Sequence, residues 1–137
     1  MVFVHTRNGT IRTANVLKEL AMKENQLDAF QPDESPKFTL AKKSISRLKN
    51  KQVAELFPLG FACHHAGMLR ADRTIIENYF GDGLIKVLVC TSTLAWGVNL
   101  PAHAVIIRVK VLFIFCNIRI QTSTNRKKFY VLMKLNF

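Results

Sequence analysis

Three short stretches hold the residue types that grip phosphate groups, each directly after an apolar run. The first is His5-Thr6-Arg7-Asn8, which follows Val2-Phe3-Val4. An arginine, a hydroxyl and the open amides of a helix start can together hold an anion. The same residues also read as an ordinary helix cap with an exposed arginine. The second stretch runs from His64 to Arg73 (HHAGMLRADR). Gly67 lets the backbone come close to a ligand, and the helix after it turns its first N–H groups toward an anion. The third spans residues 86–107 (KVLVCTSTLAWGVNLPAHAVII). Its apolar run delivers Thr91, Ser92 and Thr93, then Gly97, Asn99 and a rigid Pro101. Hydroxyls and amides at a strand end suit a neutral, sequence-independent hold on a phosphodiester backbone. Cys63, His64 and His65 invite a metal reading, yet successive strand residues point to opposite faces. No second pair has ligand spacing, so no metal site is expected.

Each stretch needs an element to position it. Val2–His5 reads as a short buried strand, and Asn8 or Thr10 can cap the helix that follows. Ile11, Ala14, Leu17 and Leu20 then recur at helical spacing to about Glu24. Residues 25–39, with Pro32 and Pro36 and no periodicity, read as a loop or insertion. A single helix is expected from Leu40 to Phe57, with Ile45, Leu48, Val53 and Leu56 inward, ended by Pro58-Leu59-Gly60. Phe61–His64 reads as a second strand, Ala71–Phe80 as a helix closed by Gly81-Asp82-Gly83, and Ile85–Cys90 as a third strand. That last run is continuously apolar, as a parallel strand covered on both faces should be. Val105–Ile107 starts a fourth strand. Strands separated by helices predict an α/β fold, an open parallel sheet flanked by helices. Ligands of such sheets bind at the carboxyl ends of the strands, where all three stretches fall.

The totals agree with one domain and add a polyanionic partner. A chain of 137 residues, 49% apolar, can bury one core. The net charge of +11 points to nucleic acid, but it is unevenly spread. Residues 1–107 hold thirteen Lys/Arg against nine Asp/Glu, whereas residues 108–137 hold seven Lys/Arg and no acid. The latter segment has no Gly or Pro and reads as a basic, apolar tail rather than a domain. Within it, residues 109–120 could extend the last strand or pair as another, and residues 125–128 read as a solvated basic patch. Three cysteines without CxxC spacing fit a reducing compartment, the nucleus or cytosol. No signal pattern precedes Val2, so the chain is expected to start inside a fold, and no apolar run approaches the roughly 20 residues of a membrane span.

Taken together, VFVHTR (2–7), HHAGMLRADR (64–73) and the block at 86–107 resemble successive motifs of the second RecA-like lobe of superfamily 2 helicases. Within that superfamily the chain is similar to the large processive helicases, including through NKQVAELFP (50–58). The resemblance covers residues 1–107 and implies an incomplete RecA-like sheet with a tail of different character. It implies backbone contacts to single-stranded RNA or DNA from His5, Thr6, Arg7, Gly67, Arg70, Thr91, Thr93 and Gly97. It also turns Asn99 toward a nucleotide cleft and leaves Trp96 to pack against the other lobe or the sheet. The partners implied are a first RecA-like lobe and subunits of a cointegrator, repair or ribosome-rescue complex.

An ATPase of this kind needs a phosphate loop with a lysine, acids that hold Mg²⁺, and an arginine finger. None of the six glycines begins a G-x-x-x-x-G-K-[ST] match, and no Gly-Arg dipeptide occurs. Asp33-Glu34-Ser35-Pro36 resembles the acidic helicase box only superficially, since no apolar strand precedes it. ATP and Mg²⁺ are therefore expected in the complete parent enzyme, which the resemblance implies is of the 3′-to-5′ unwinding type, and not on this chain by itself. The alternative expectation is a non-catalytic module that binds nucleic acid or a complex subunit.

Overall fold

A computed structural model describes residues 1–95, 100–108 and 129–130. Its centre is a parallel sheet in the order β2-β3-β1-β4, formed by β1 (Val2–Val4), β2 (Phe61–His64), β3 (Val87–Thr91) and β4 (Ala104–Ile107). A two-residue strand, β5 (Phe129–Tyr130), pairs with β4 in parallel. Every adjacent pair is parallel, so all four carboxyl ends lie along one edge. The register sets Val4 beside Thr91 and His64 beside Cys90, so the chains leaving β1, β2 and β3 emerge nearly level.

Helices cover both faces. Val2, Val4, Phe61 and Val89 form one apolar cluster with Ala14 and Ala21 of α1 (Arg7–Lys23) and with Leu56 of α3 (Lys51–Leu56). A second cluster gathers Ala62, Leu88 and Cys90 with Phe38 and Ile45 of α2 (Pro36–Ser46), Phe57, and Ile76 and Phe80 of α4 (Arg70–Gly81). Val89 thus faces one layer and its neighbours Leu88 and Cys90 the other, the two-residue alternation of a strand buried on both sides.

Local chemistry shifts several boundaries from the sequence expectation. Thr6, rather than Asn8 or Thr10, caps α1, its Oγ1 accepting from the Gly9 N–H at 3.0 Å. The helix expected over residues 40–57 is two helices, broken between Ser46 and Lys51, with Asn50 capping the second through the Gln52 N–H. Part of the expected loop is helical: Leu27–Ala29 makes a 3-10 turn, and α2 starts at Pro36 behind a Ser35 cap. Proline is welcome at a helix's first position because its missing N–H had no partner there. Trp96, Gly97, Val98, Asn99 and the readings made for residues 109–128 lie outside the described residues.

Candidate nucleic-acid interface

The carboxyl edge of the sheet carries the candidate residues that the structure describes. From β1 the chain passes through exposed His5 and Thr6 into exposed Arg7, the first residue of α1. The Thr6 oxygen accepts the capping bond, which leaves its O–H to donate outward. No acid occupies the first turn of α1, and Arg7 sits there instead. A helix favours negative charge at that end, so this arrangement works against the helix and toward an external anion.

From β2 the chain makes a tight turn through His65 and Gly67 to Leu69, then enters α4 at exposed Arg70. No side chain caps α4, and its first turn holds the buried carboxylate of Asp72. Gly67 is where the first two stretches touch. A Cβ at this position would lie 3.3 Å from Arg7 Cδ and 3.1 Å from His65 Nδ1. Any larger residue at this position would have to push the Arg7 stem or the imidazole back by a few tenths of an ångström.

From β3 the edge receives Thr91, which is buried, and Thr93, which is exposed. Their hydroxyl oxygens are 2.9 Å apart and share one hydrogen bond. Thr91 thereby aims its neighbour, and the exposed Thr93 presents the pair to solvent. The structure thus joins Arg7 with Gly67, and Thr91 with Thr93, on three neighbouring strand ends. It places His5, Thr6 and Arg70 along the same edge, spaced out rather than paired with one another. Gly97 and Asn99 fall outside the described residues.

Sequence reasoning passed over His65. Its Nδ1 accepts from the Gly67 N–H at 3.1 Å. Desolvation, then Arg7, then His64 hold its pKa below the usual histidine value. The available signal was spacing, a ring acceptor two residues before a turn glycine. His64 differs. It is 2% exposed, and its Nε2 lies 2.6 Å from Glu77 Oε1, while its Nδ1 is buried without a partner.

Among the described residues no three His, Cys, Asp or Glu side chains gather as a metal set. Cys63 and Cys90 are buried thiols, pushed by burial to about 11 and about 12. A cavity of about 730 Å³ opens at the opposite edge of the sheet, among Val2, Phe30, Phe61, Phe80 and Ile106. Its lining is mainly apolar, with Glu24, Lys86 and His103 at its edge, and it lies at the other end of the strands from Arg7, Thr91 and Thr93.

Comparison with known proteins follows the same line. The chain is 59% identical over 108 residues to activating signal cointegrator 1 complex subunit 3 of Mus musculus, covering 79% of the chain and 5% of that protein. It is 60% identical to the Homo sapiens protein of that name, with the same coverage. To the DExH-box ATP-dependent RNA helicase DExH14 of Arabidopsis thaliana it is 52% identical over 113 residues, covering 82% of the chain and 5% of that protein. The chain thus spans a small fraction of the length of the curated relatives it matches. The helicase conserved C-terminal domain model matches residues 18–121, most of the chain and two of its three strand-end stretches, and the chain belongs to that helicase family.

Proposed function

We propose that this domain holds the backbone of single-stranded RNA or DNA along its carboxyl strand edge, as one half of an ATP-driven helicase's grip. The observation that carries the reading is the meeting of Arg7 and Gly67 beside the Thr91–Thr93 pair. A cation, an uncapped helix start and paired hydroxyls face the same rim, and none of them reads a base. Thr93 makes the direct hydroxyl contact and Thr91 orients it. His5, Thr6 and Arg70 add donors along the rim, and the family resemblance adds a backbone contact from Gly97. By the family resemblance Asn99 would contact the nucleotide of the complete enzyme, whose first lobe would supply the ATP and Mg²⁺ sites. The reading places the protein in the nucleus or cytosol, consistent with its buried, unpaired thiols Cys63 and Cys90. It also makes subunits of a cointegrator, repair or ribosome-rescue complex its partners, by analogy with relatives named as complex subunits.

The test is fluorescence anisotropy of a labelled single-stranded oligonucleotide titrated with the full chain. Arg126, Lys127 and Lys128 are first replaced by alanine to remove their diffuse attraction. Thr93→Ala should then weaken binding by about 1 kcal/mol, as for one lost neutral hydrogen bond. Arg7→Ala should cost more, since its hydrogen bond is charge-assisted. Unchanged binding by both folded variants would move the grip elsewhere on the molecule.

A further inference from the structure

We infer that His65 donates a hydrogen bond from Nε2 to a phosphate oxygen of single-stranded nucleic acid, with Gly67 fixing the tautomer that makes this possible. The inference rests on the proposed backbone grip and adds a residue of different chemistry to it. A neutral imidazole carries its proton on one nitrogen only, and the nitrogen that accepts a hydrogen bond cannot be that one. His65 Nδ1 accepts from the Gly67 N–H at 3.1 Å, so the proton sits on Nε2. Protonating the second nitrogen would set Nδ1–H against the Gly67 N–H and place a second positive charge near Arg7. Burial, Arg7 and the neighbouring His64 all press the same way, toward the neutral ring.

The ring is placed for the task. It is half-buried, immediately follows β2, and lies with the Arg7 stem against Gly67, whose added Cβ would meet His65 Cε1 and Arg7 Cδ each at 3.3 Å. A phosphodiester offers two non-bridging oxygens with one shared charge. An exposed cation whose stem lies against Gly67 and a neutral N–H on the same notch can satisfy both oxygens without stacking two positive charges on one phosphate. A free phosphate presents similar chemistry, so the measurement separates the two sources.

Two readouts test the assignment on the full chain. Long-range proton–nitrogen spectra of the histidine side chains should show His65 protonated at Nε2 and bare at Nδ1. A fluorescein-labelled oligouridylate should then shift the Nε2 signal, whereas excess inorganic phosphate at matched ionic strength should not. In anisotropy, His65→Ala should weaken oligouridylate binding about tenfold, the scale of a hydrogen bond to a charged group. His65→Asn keeps an acceptor for the Gly67 N–H and so preserves the turn, but its shorter side chain withdraws the donor; it should lose binding likewise. A proton on Nδ1, an equal shift with inorganic phosphate, or native binding by His65→Asn each overturns the inference. Arg7→Ala, measured alongside, keeps the two readings distinct. If it weakens binding while both His65 variants bind normally, only the His65 assignment fails. If none of the three weakens binding, the grip itself is wrong and His65 falls with it.

Discussion

His64 is a charged-partner histidine that stays neutral, and the reason is local. Its Nε2–H donates to Glu77 Oε1 across 2.6 Å, a contact that by itself would favour the imidazolium. Burial outweighs it, and the positive charge of Arg73 acts in the same direction as burial, so the pKa is lowered. The buried Nδ1 explains the balance, because a proton added there would have no acceptor. With the folded value below the unfolded one of about 6.5, the unfolded chain takes up the proton first as pH falls. Stability from this site is complete above that value and declines below it. Urea midpoints should therefore drop between pH 7.5 and pH 5.5, and the drop should shrink in His64→Gln. An identical drop in that variant would show that His64 does not set the acid limb. None of this could be read from His64-His65 in sequence, since Glu77 lies thirteen residues away and meets the ring only when α4 packs on β2.

Elements, more than single residues, decide where the strand ends fall. The junction from α3 to β2 passes through Phe57–Leu59 and then Gly60, whose φ of 80° lies in the left-handed region. A Cβ at Gly60 would stand 1.7 Å from the Phe30 carbonyl oxygen, and the Gly60 carbonyl accepts from the N–H groups of Lys86 and Val87 at the start of β3. One glycine thus ties the 25–35 connection to two strands. Gly60→Ala is expected to cost about 2–4 kcal/mol in urea unfolding, combining backbone strain with a clash that cannot relax through a side chain. A loss below about 0.5 kcal/mol, the range of neutral surface changes, would contradict this. The sequence marked Gly60 as a helix stop, which it is, but gave no sign of Phe30 above it. Helix periodicity likewise carried straight across Arg47–Asn50, because Leu48 and Val53 are both buried whether or not the helix is continuous.

At the scale of the whole molecule, charge and architecture tell different stories. Most of the excess positive charge lies in residues 108–137, whereas among the described residues the strand-end rim carries chiefly Arg7 and Arg70. Binding through the rim should therefore respond gently to salt. Replacing both arginines by alanine should reduce the slope of log K against log salt by roughly 1.4, about 0.7 for each single-strand phosphate no longer neutralised. An unchanged slope would assign the salt dependence to the tail. Composition and pattern were sufficient for the fold class, because a strand buried on both faces must be continuously apolar and parallel neighbours need helical crossovers. Pattern also placed the three candidate stretches directly after strands, since strand ends follow from strand positions; the contact roles within them came from the family resemblance. Three things were settled only by the folded chain: the Gly67 notch that seats Arg7, the Thr91–Thr93 pairing, and the fixed ring of His65. The sequence by itself determined which residues are buried in strands and which follow them, because that is set by local hydrophobic period. Tertiary structure decided which of those residues touch, because the approach of the β1 end to the β2 end spans about sixty residues of chain and depends on a register that no local pattern encodes.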